Sequence, residues 1–230
     1  MLRDAKVEYL AWARDAQRAP RRVSLLLSGC DTPLDRIPFR TEDLRSAVPP
    51  AYEDSRLLEG LAARYGVSAD EVFPCLGTSQ ALFLALAGLL SPGDGVLIEH
   101  PGYESLRRVS EALGAQVRTF TRRHESDFAI QPDRVLEAWQ PDVRVVALTD
   151  LHNPTGCMAG DQGLARLAEA LRERGTMLLV DEVYRDFRPG ALGTARTLGE
   201  NVVILSSFTK VYGLGNLRAG WILGPRELVQ

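Results

Sequence analysis

A three-layer α/β/α fold around a mostly parallel seven-stranded sheet is the class this sequence predicts, and three observations predict it. Short apolar runs rich in β-branched residues recur along the chain, segments of helical period separate them, and turn residues mark the joins. Runs that stay apolar on both faces belong to sheets covered on both sides.

In chain order the runs are 72–76, 95–99, 116–120, 144–148, 177–181, 202–206 and 219–223. Helices are expected over 79–90, 105–113, 133–138 and 163–173. In the last of these, Leu164, Leu167, Ala168 and Leu171 form one apolar stripe of core type. Ser91-Pro92-Gly93-Asp94 leads into the second run, Pro141-Asp142 into the fourth, and Arg188-Pro189-Gly190 follows the fifth. The first segment carries Pro20, Pro33, Pro38 and the Pro49-Pro50 pair; it reads as a loop-rich arm that packs against the main body.

The chain has 230 residues, 45% apolar and 25% charged, which is enough for a substantial core and argues against disorder. A net charge of −3 leaves no whole-chain positive field to hold nucleic acid or an anionic membrane. Arg107 with Arg108, and the run Arg122, Arg123, His124, read as solvated faces. The longest apolar run, 81–90, is too short to span a bilayer, and the charge-alternating N-terminus lacks the apolar core of a signal peptide. Cys30, Cys75 and Cys157 lack metal or redox spacing and read as reduced thiols of a cytoplasmic protein. Of 27 basic residues only Lys6 and Lys210 are lysines. In a lineage that uses arginine for plain surface cations, Lys210 suggests a chemistry that guanidinium cannot perform, an amine that loses its proton and acts as a nucleophile; a leftover surface lysine is the other reading of the residue taken alone.

In open parallel α/β sheets, ligands bind beyond the carboxyl ends of the strands. The polar residues that follow strands here are Gly77-Thr78-Ser79-Gln80, Pro101-Gly102-Tyr103, His152-Asn153-Pro154-Thr155-Gly156, Asp181-Glu182-Val183-Tyr184 and Ser207-Phe208-Thr209-Lys210, with Arg218 in the next turn. Read alone, Asp181 also suits a helix cap, Asn153 a turn before proline, and Tyr103 an ordinary core position. Gly213-Leu214-Gly215 lacks the third glycine and the later acidic residue of a dinucleotide site, and no G-x-S-x-G elbow surrounds Ser79. His100, His124 and His152 show no metal spacing, so no metal is expected; His152 reads as a neighbour of the loop that follows it.

Taken together, these motifs resemble the class I/II aminotransferase family of fold-type I pyridoxal-phosphate enzymes. Its signatures include a Gly/Ser/Thr turn opening a helix, N-P-T-G, D-E-x-Y and S-x-[ST]-K-x-x-G-L-x-x-x-R-x-G, all present in family order over roughly residues 50–225. The resemblance implies pyridoxal 5'-phosphate as cofactor and Lys210 as its Schiff-base lysine. It implies Asp181 at the pyridine nitrogen, Asn153 and Tyr184 as donors to the phenolic oxygen, and Tyr103 stacked on the ring. Thr78, Ser79, Ser207 and Arg218 would hold the phosphate, joined by Tyr52 from the other subunit of a homodimer. Lys210, Asp181 and Tyr184 are the catalytic set. Implied domains are an arm or part of a small domain over 1–48, a cofactor-binding large domain over 49–225, and at 226–230 the start of a C-terminal region that this chain lacks.

The function implied is transfer of an amino group between an amino acid and a 2-oxo acid. Two alternatives stay open: a C–S lyase or decarboxylase on the same scaffold, since the cofactor activates every bond at Cα, and a truncated non-catalytic domain of the same fold.

Overall fold

The computed structural model describes residues 7–18, 29–30, 32, 55–188 and 193–229. Seven strands form one sheet: β1 (Val72–Cys75), β2 (Gly95–His100), β3 (Gln116–Thr121), β4 (Val143–Thr149), β5 (Met177–Asp181), β6 (Val202–Ser207) and β7 (Gly220–Leu223). Each lies within one residue of the run that predicted it. Their order is β1-β7-β6-β5-β4-β2-β3, with β7 antiparallel to both neighbours and every other pairing parallel. Six strands therefore point one way, and β1, β2, β4, β5 and β6 end along the same edge of the sheet.

Helices α1 (Glu8–Arg18), α2 (Ser55–Tyr65), α3 (Thr78–Leu89), α4 (Glu104–Ala112), α5 (Pro132–Ala138), α6 (Asp161–Arg172) and α7 (Arg226–Val229) complete the described elements, apart from short 3-10 turns. The four helices expected from periodicity are α3 to α6. α1 and α2 fall in or beside the segment read as loop-rich, and α2 buries Leu58, Leu61, Ala62 and Tyr65 at helical spacing.

Two apolar layers sandwich the sheet. On one face α2, α5 and α6 pack with Leu148, Leu178, Val180 and Trp221; on the other, α3, α4 and α7 pack with Val96, Ala147, Leu179 and Leu205. The alternation of Leu178, Leu179 and Val180 between the faces is the period of an extended strand, and all three are fully buried. Each such side chain contributes about 1.5–3 kcal/mol relative to exposure. β1 and β3 form the edges, and β3 is half-exposed, as its mixed composition QVRTFT requires.

Candidate functional site

A cavity of about 200 Å3 opens where the five parallel strand ends meet. Thr78 and Ser79 enter it from the start of α3, Tyr103 from the N-terminal boundary of α4, Asn153 from the loop after β4, Asp181 and Tyr184 from the end of β5, and Lys210 and Arg218 from the loop joining β6 to β7. Lys210 and Asp181 thus reach one space from neighbouring strands. Tyr52 and Lys6 lie outside the described residues.

Burial sets the electrostatics. Desolvation lowers the Lys210 amine from its ordinary value, against the opposing pull of Tyr9 and Asp181. It raises Asp181 to about 6, opposed by the Val183 N–H, which donates to Oδ1 at 3.0 Å, and by Lys210. The Lys210 side chain turns toward Tyr184, with Nζ 5.8 Å from the ring centroid. Tyr103 is raised by burial as well, with Ser105 pulling it back.

The start of α3 is shaped for an anion. Gly77, at φ 88°, precedes the helix, and a Cβ there would stand 2.6 Å from Arg218 Nη2. Gly220 on β7 lets the two backbones close: its Cβ would lie 2.7 Å from the Gly77 Cα. Only glycine permits this approach. Arg218 itself is left-handed at φ 53° and donates to the Leu76 and Gly215 carbonyls at 3.1 and 3.3 Å, which brings its guanidinium beside the first turn of α3. Ser207 does not line the cavity. It is buried directly beneath, where its hydroxyl accepts from Thr78 Oγ1 at 2.9 Å and from the Thr209 N–H at 3.3 Å. The set comprises an amine of reduced basicity, a carboxyl group, an aromatic face and an anion cradle, and it fits a phosphorylated aromatic aldehyde.

One expectation is overturned. Arg122 is not solvated but 3% exposed, and Nη1 donates to Glu99 Oε2 at 2.8 Å. β2, β3 and β4 run side by side, so Glu99, Arg122 and Thr149 converge at their ends, and an ion pair excludes water there. Glu99 Oε1 accepts the Thr149 N–H at 2.8 Å and its hydroxyl at 2.6 Å. Burial pushes Glu99 up to about 7, while Arg122 and Thr149 pull it down. The other two members of that run, Arg123 and His124, stay exposed.

Next to this pair, His152 is buried as the loop neighbour expected. Nε2 lies 2.8 Å from the Pro101 carbonyl, which only accepts, so Nε2 carries the proton and Nδ1 accepts from Thr155 Oγ1 at 2.7 Å. Desolvation and Arg122 lower its pKa to about 4, and the ring is a neutral strut between the Tyr103 and Asn153 loops.

Two groups of lining residues escaped the sequence reading. Thr149 occupies the carboxyl end of β4, but the strand-end residues were gathered only from His152 onward. Tyr9, Leu10, Ala13 and Gln17 of α1 cover the cavity from the arm, with the Tyr9 N–H donating to Glu104 Oε2 at 2.8 Å. Nothing in the local pattern of α1 signals that placement.

Comparison with known proteins gives a consistent result. The profile of the family described as Aminotransferase class I and II matches residues 43–230. A histidinol-phosphate aminotransferase from Ruegeria pomeroyi is 30% identical over 88% of this chain and 57% of its own length. One from Dinoroseobacter shibae is 31% identical over 78% of this chain and 49% of its own. The chain thus spans about half the length of these curated relatives. Among solved structures, aspartate aminotransferase from Thermus thermophilus with maleate superposes with a TM-score of 0.83 at 26% identity, covering 100% of this chain and 64% of that one. The chain therefore belongs to the class I and II aminotransferase family, whose cofactor is pyridoxal 5'-phosphate.

Proposed function

We propose that this chain is the cofactor-binding part of an aminotransferase that moves an amino group between an amino acid and a 2-oxo acid. The observation that carries the reading is the shared cavity: Lys210 and Asp181 face it together with Asn153, Tyr184, Tyr103 and the start of α3. Bound there, pyridoxal 5'-phosphate supplies an aldehyde and an electron-accepting ring. Lys210 Nζ, made less basic by burial, is the nucleophile and then the base that moves the substrate Cα proton. Asp181 would pair with the ring nitrogen and keep it protonated, and Asn153 and Tyr184 would donate to the phenolic oxygen. Tyr103 covers the ring face and excludes water. Thr78, Ser79 and Arg218 hold the phosphate, with Ser207 fixing the Thr78 hydroxyl from below.

The relatives are named for histidinol phosphate, which makes it the first amino donor to assay, with aspartate second. The working form in this reading is a homodimer. Exposed Leu76, Phe83 and Leu84 beside the phosphate turn support it, as apolar surface for a second subunit that would bring Tyr52 to the phosphate. Free Cys30, Cys75 and Cys157 support a cytoplasmic location.

Incubation with pyridoxal 5'-phosphate, borohydride reduction and peptide mapping tests the assignment. The label is expected on Lys210 and absent from Lys210→Ala; label on Lys6, or none, overturns it. Conversion of the bound-cofactor absorbance by histidinol phosphate or aspartate distinguishes transamination from lyase chemistry, which would instead release ammonia and pyruvate from a cysteine-like substrate.

A further inference from the structure

We propose that Thr149, oriented by the buried Glu99–Arg122 pair, is a positioning residue: its hydroxyl fixes the Asn153 main chain and thereby tunes the proton affinity of the cofactor linkage at Lys210. This rests on the reading that Asn153 faces the cofactor's phenolic oxygen.

The relay has one direction. Every group the structure places on the Glu99 oxygens is a donor: the Thr149 N–H, the Thr149 hydroxyl and Arg122 Nη1. Once ionised, above about pH 7, the Glu99 carboxylate only accepts, so the Thr149 hydroxyl proton points at Glu99 and the oxygen lone pair is left facing outward. That lone pair accepts the Asn153 N–H at 2.8 Å. Arg122 closes the other side by donating to the Thr149 carbonyl at 3.0 Å and, through Nε, to the Phe128 carbonyl. Thr149 is 2% exposed and Asn153 half-buried, so the bond between them is largely shielded from solvent, and an N–H left unpaired there is costly.

Two further features indicate that the arrangement is held rather than incidental. Asp127 and Phe128 are consecutive left-handed residues, at φ 49° and 55°. A bulky residue takes that conformation only when its surroundings impose it, and here it aims the Phe128 carbonyl at Arg122 while its ring stacks on His152 at 5.5 Å. A buried ion pair is also a poor way to gain stability, because apolar side chains of the same volume do as well. What apolar residues cannot supply is a hydroxyl with a forced orientation.

The test is a pH titration of the cofactor absorbance on the loaded chain, with labelling at Lys210 checked in parallel. Loss of a donor to the phenolic oxygen raises the pH midpoint. Asn153→Ala and Thr149→Val are both expected to raise it, the latter by about one unit, a tenfold change in the proton equilibrium. Thr149→Ser keeps the hydroxyl and is expected to restore the wild-type midpoint. Glu99→Gln offers an amide donor to Thr149, disturbs the forced direction and is expected to shift the midpoint the same way, so the relay stays readable if the valine variant does not fold. Wild-type midpoints in Thr149→Val or, failing that, Glu99→Gln, alongside a shifted Asn153→Ala, overturn the proposal alone. An unshifted Asn153→Ala, or no label at Lys210, overturns the cofactor reading and the proposal with it.

Discussion

The two walls of the cavity are built differently. On the Asn153 side, the loop after β4 rests on charged and polar groups sealed inside the protein: Glu99, Arg122, Thr149 and His152 are each 3% exposed or less. On the Lys210 side, residues 208–215 are half-buried and Asn216 is exposed, and the bonds that hold the segment include several to distant parts of the chain. The Cys30 N–H donates to the Lys210 carbonyl at 2.8 Å, Thr32 Oγ1 to the Tyr212 carbonyl at 2.6 Å, and the Tyr212 hydroxyl to Asp186. One wall is completed when the sheet is completed, and the other waits for a distant segment. The first is sealed by buried polar bonds; the second has the greater exposure that goes with easier local opening.

The sharpest way to break this contrast is at Arg122. Arg122→Met leaves Glu99 buried without its counter-charge and is expected to cost about 3–5 kcal/mol of stability in denaturant unfolding. Adding Glu99→Leu is expected to recover most of that loss, because the pair as a whole is replaceable. If the single variant is no less stable than the double, the wall does not depend on the pair.

A smaller effect is expected from pH. Glu99 and Glu182 rise from 4.5 to about 7 and Asp181 from 3.8 to about 6, all chiefly by burial. Between the ordinary and raised values the folded chain binds more protons than the unfolded one, so stability falls as pH rises through that window. His152, lowered from 6.5 to about 4, acts in the opposite sense: its contribution is gained as pH rises and lost as pH falls through about 4. With three groups against one, the thermal midpoint of the cofactor-free chain is expected to fall by several degrees between about pH 4 and pH 7. A rising midpoint across that window would show that these carboxyl groups are ionised in the fold at ordinary values.

The smallest effect is predicted on the other wall. Thr32→Val removes one partly buried hydrogen bond and is expected to lower stability by about 0.5–1.5 kcal/mol. Its mark should instead be weaker retention of pyridoxal 5'-phosphate, read by equilibrium titration. An equal loss of retention in Arg122→Met with Glu99→Leu would erase the distinction between the walls.

The sheet was legible because Val, Ile and Leu runs bounded by Pro-Gly and Pro-Asp turns leave few alternatives, and because a parallel sheet orders its own ligand edge. The chemistry of the strand ends was legible for the same reason. Arg122 was not: its partner sits 23 residues earlier, and only the side-by-side packing of β2, β3 and β4 turns two surface-type residues into a buried pair. Ser207 was gathered with the cavity residues because it was read as following a strand, yet it closes β6 and is buried with its hydroxyl accepting from Thr78. α2 carried a readable signal in Leu58, Leu61, Ala62 and Tyr65, masked by the prolines before it. α1 carried almost none, since Ala16 is its one buried residue among those described.

The place of β1 has a consequence for how the molecule is made. A ribosome emits this strand before the other six, but its neighbour in the sheet is β7, and Val72 meets Leu223 only after the five intervening strands have emerged. Closing so long a loop is slow, and until it closes β1 presents open amides to any passing chain. The turn at Gly77 takes its final shape when Gly220 and Arg218 arrive, so the anion cradle matures only after β7 has emerged.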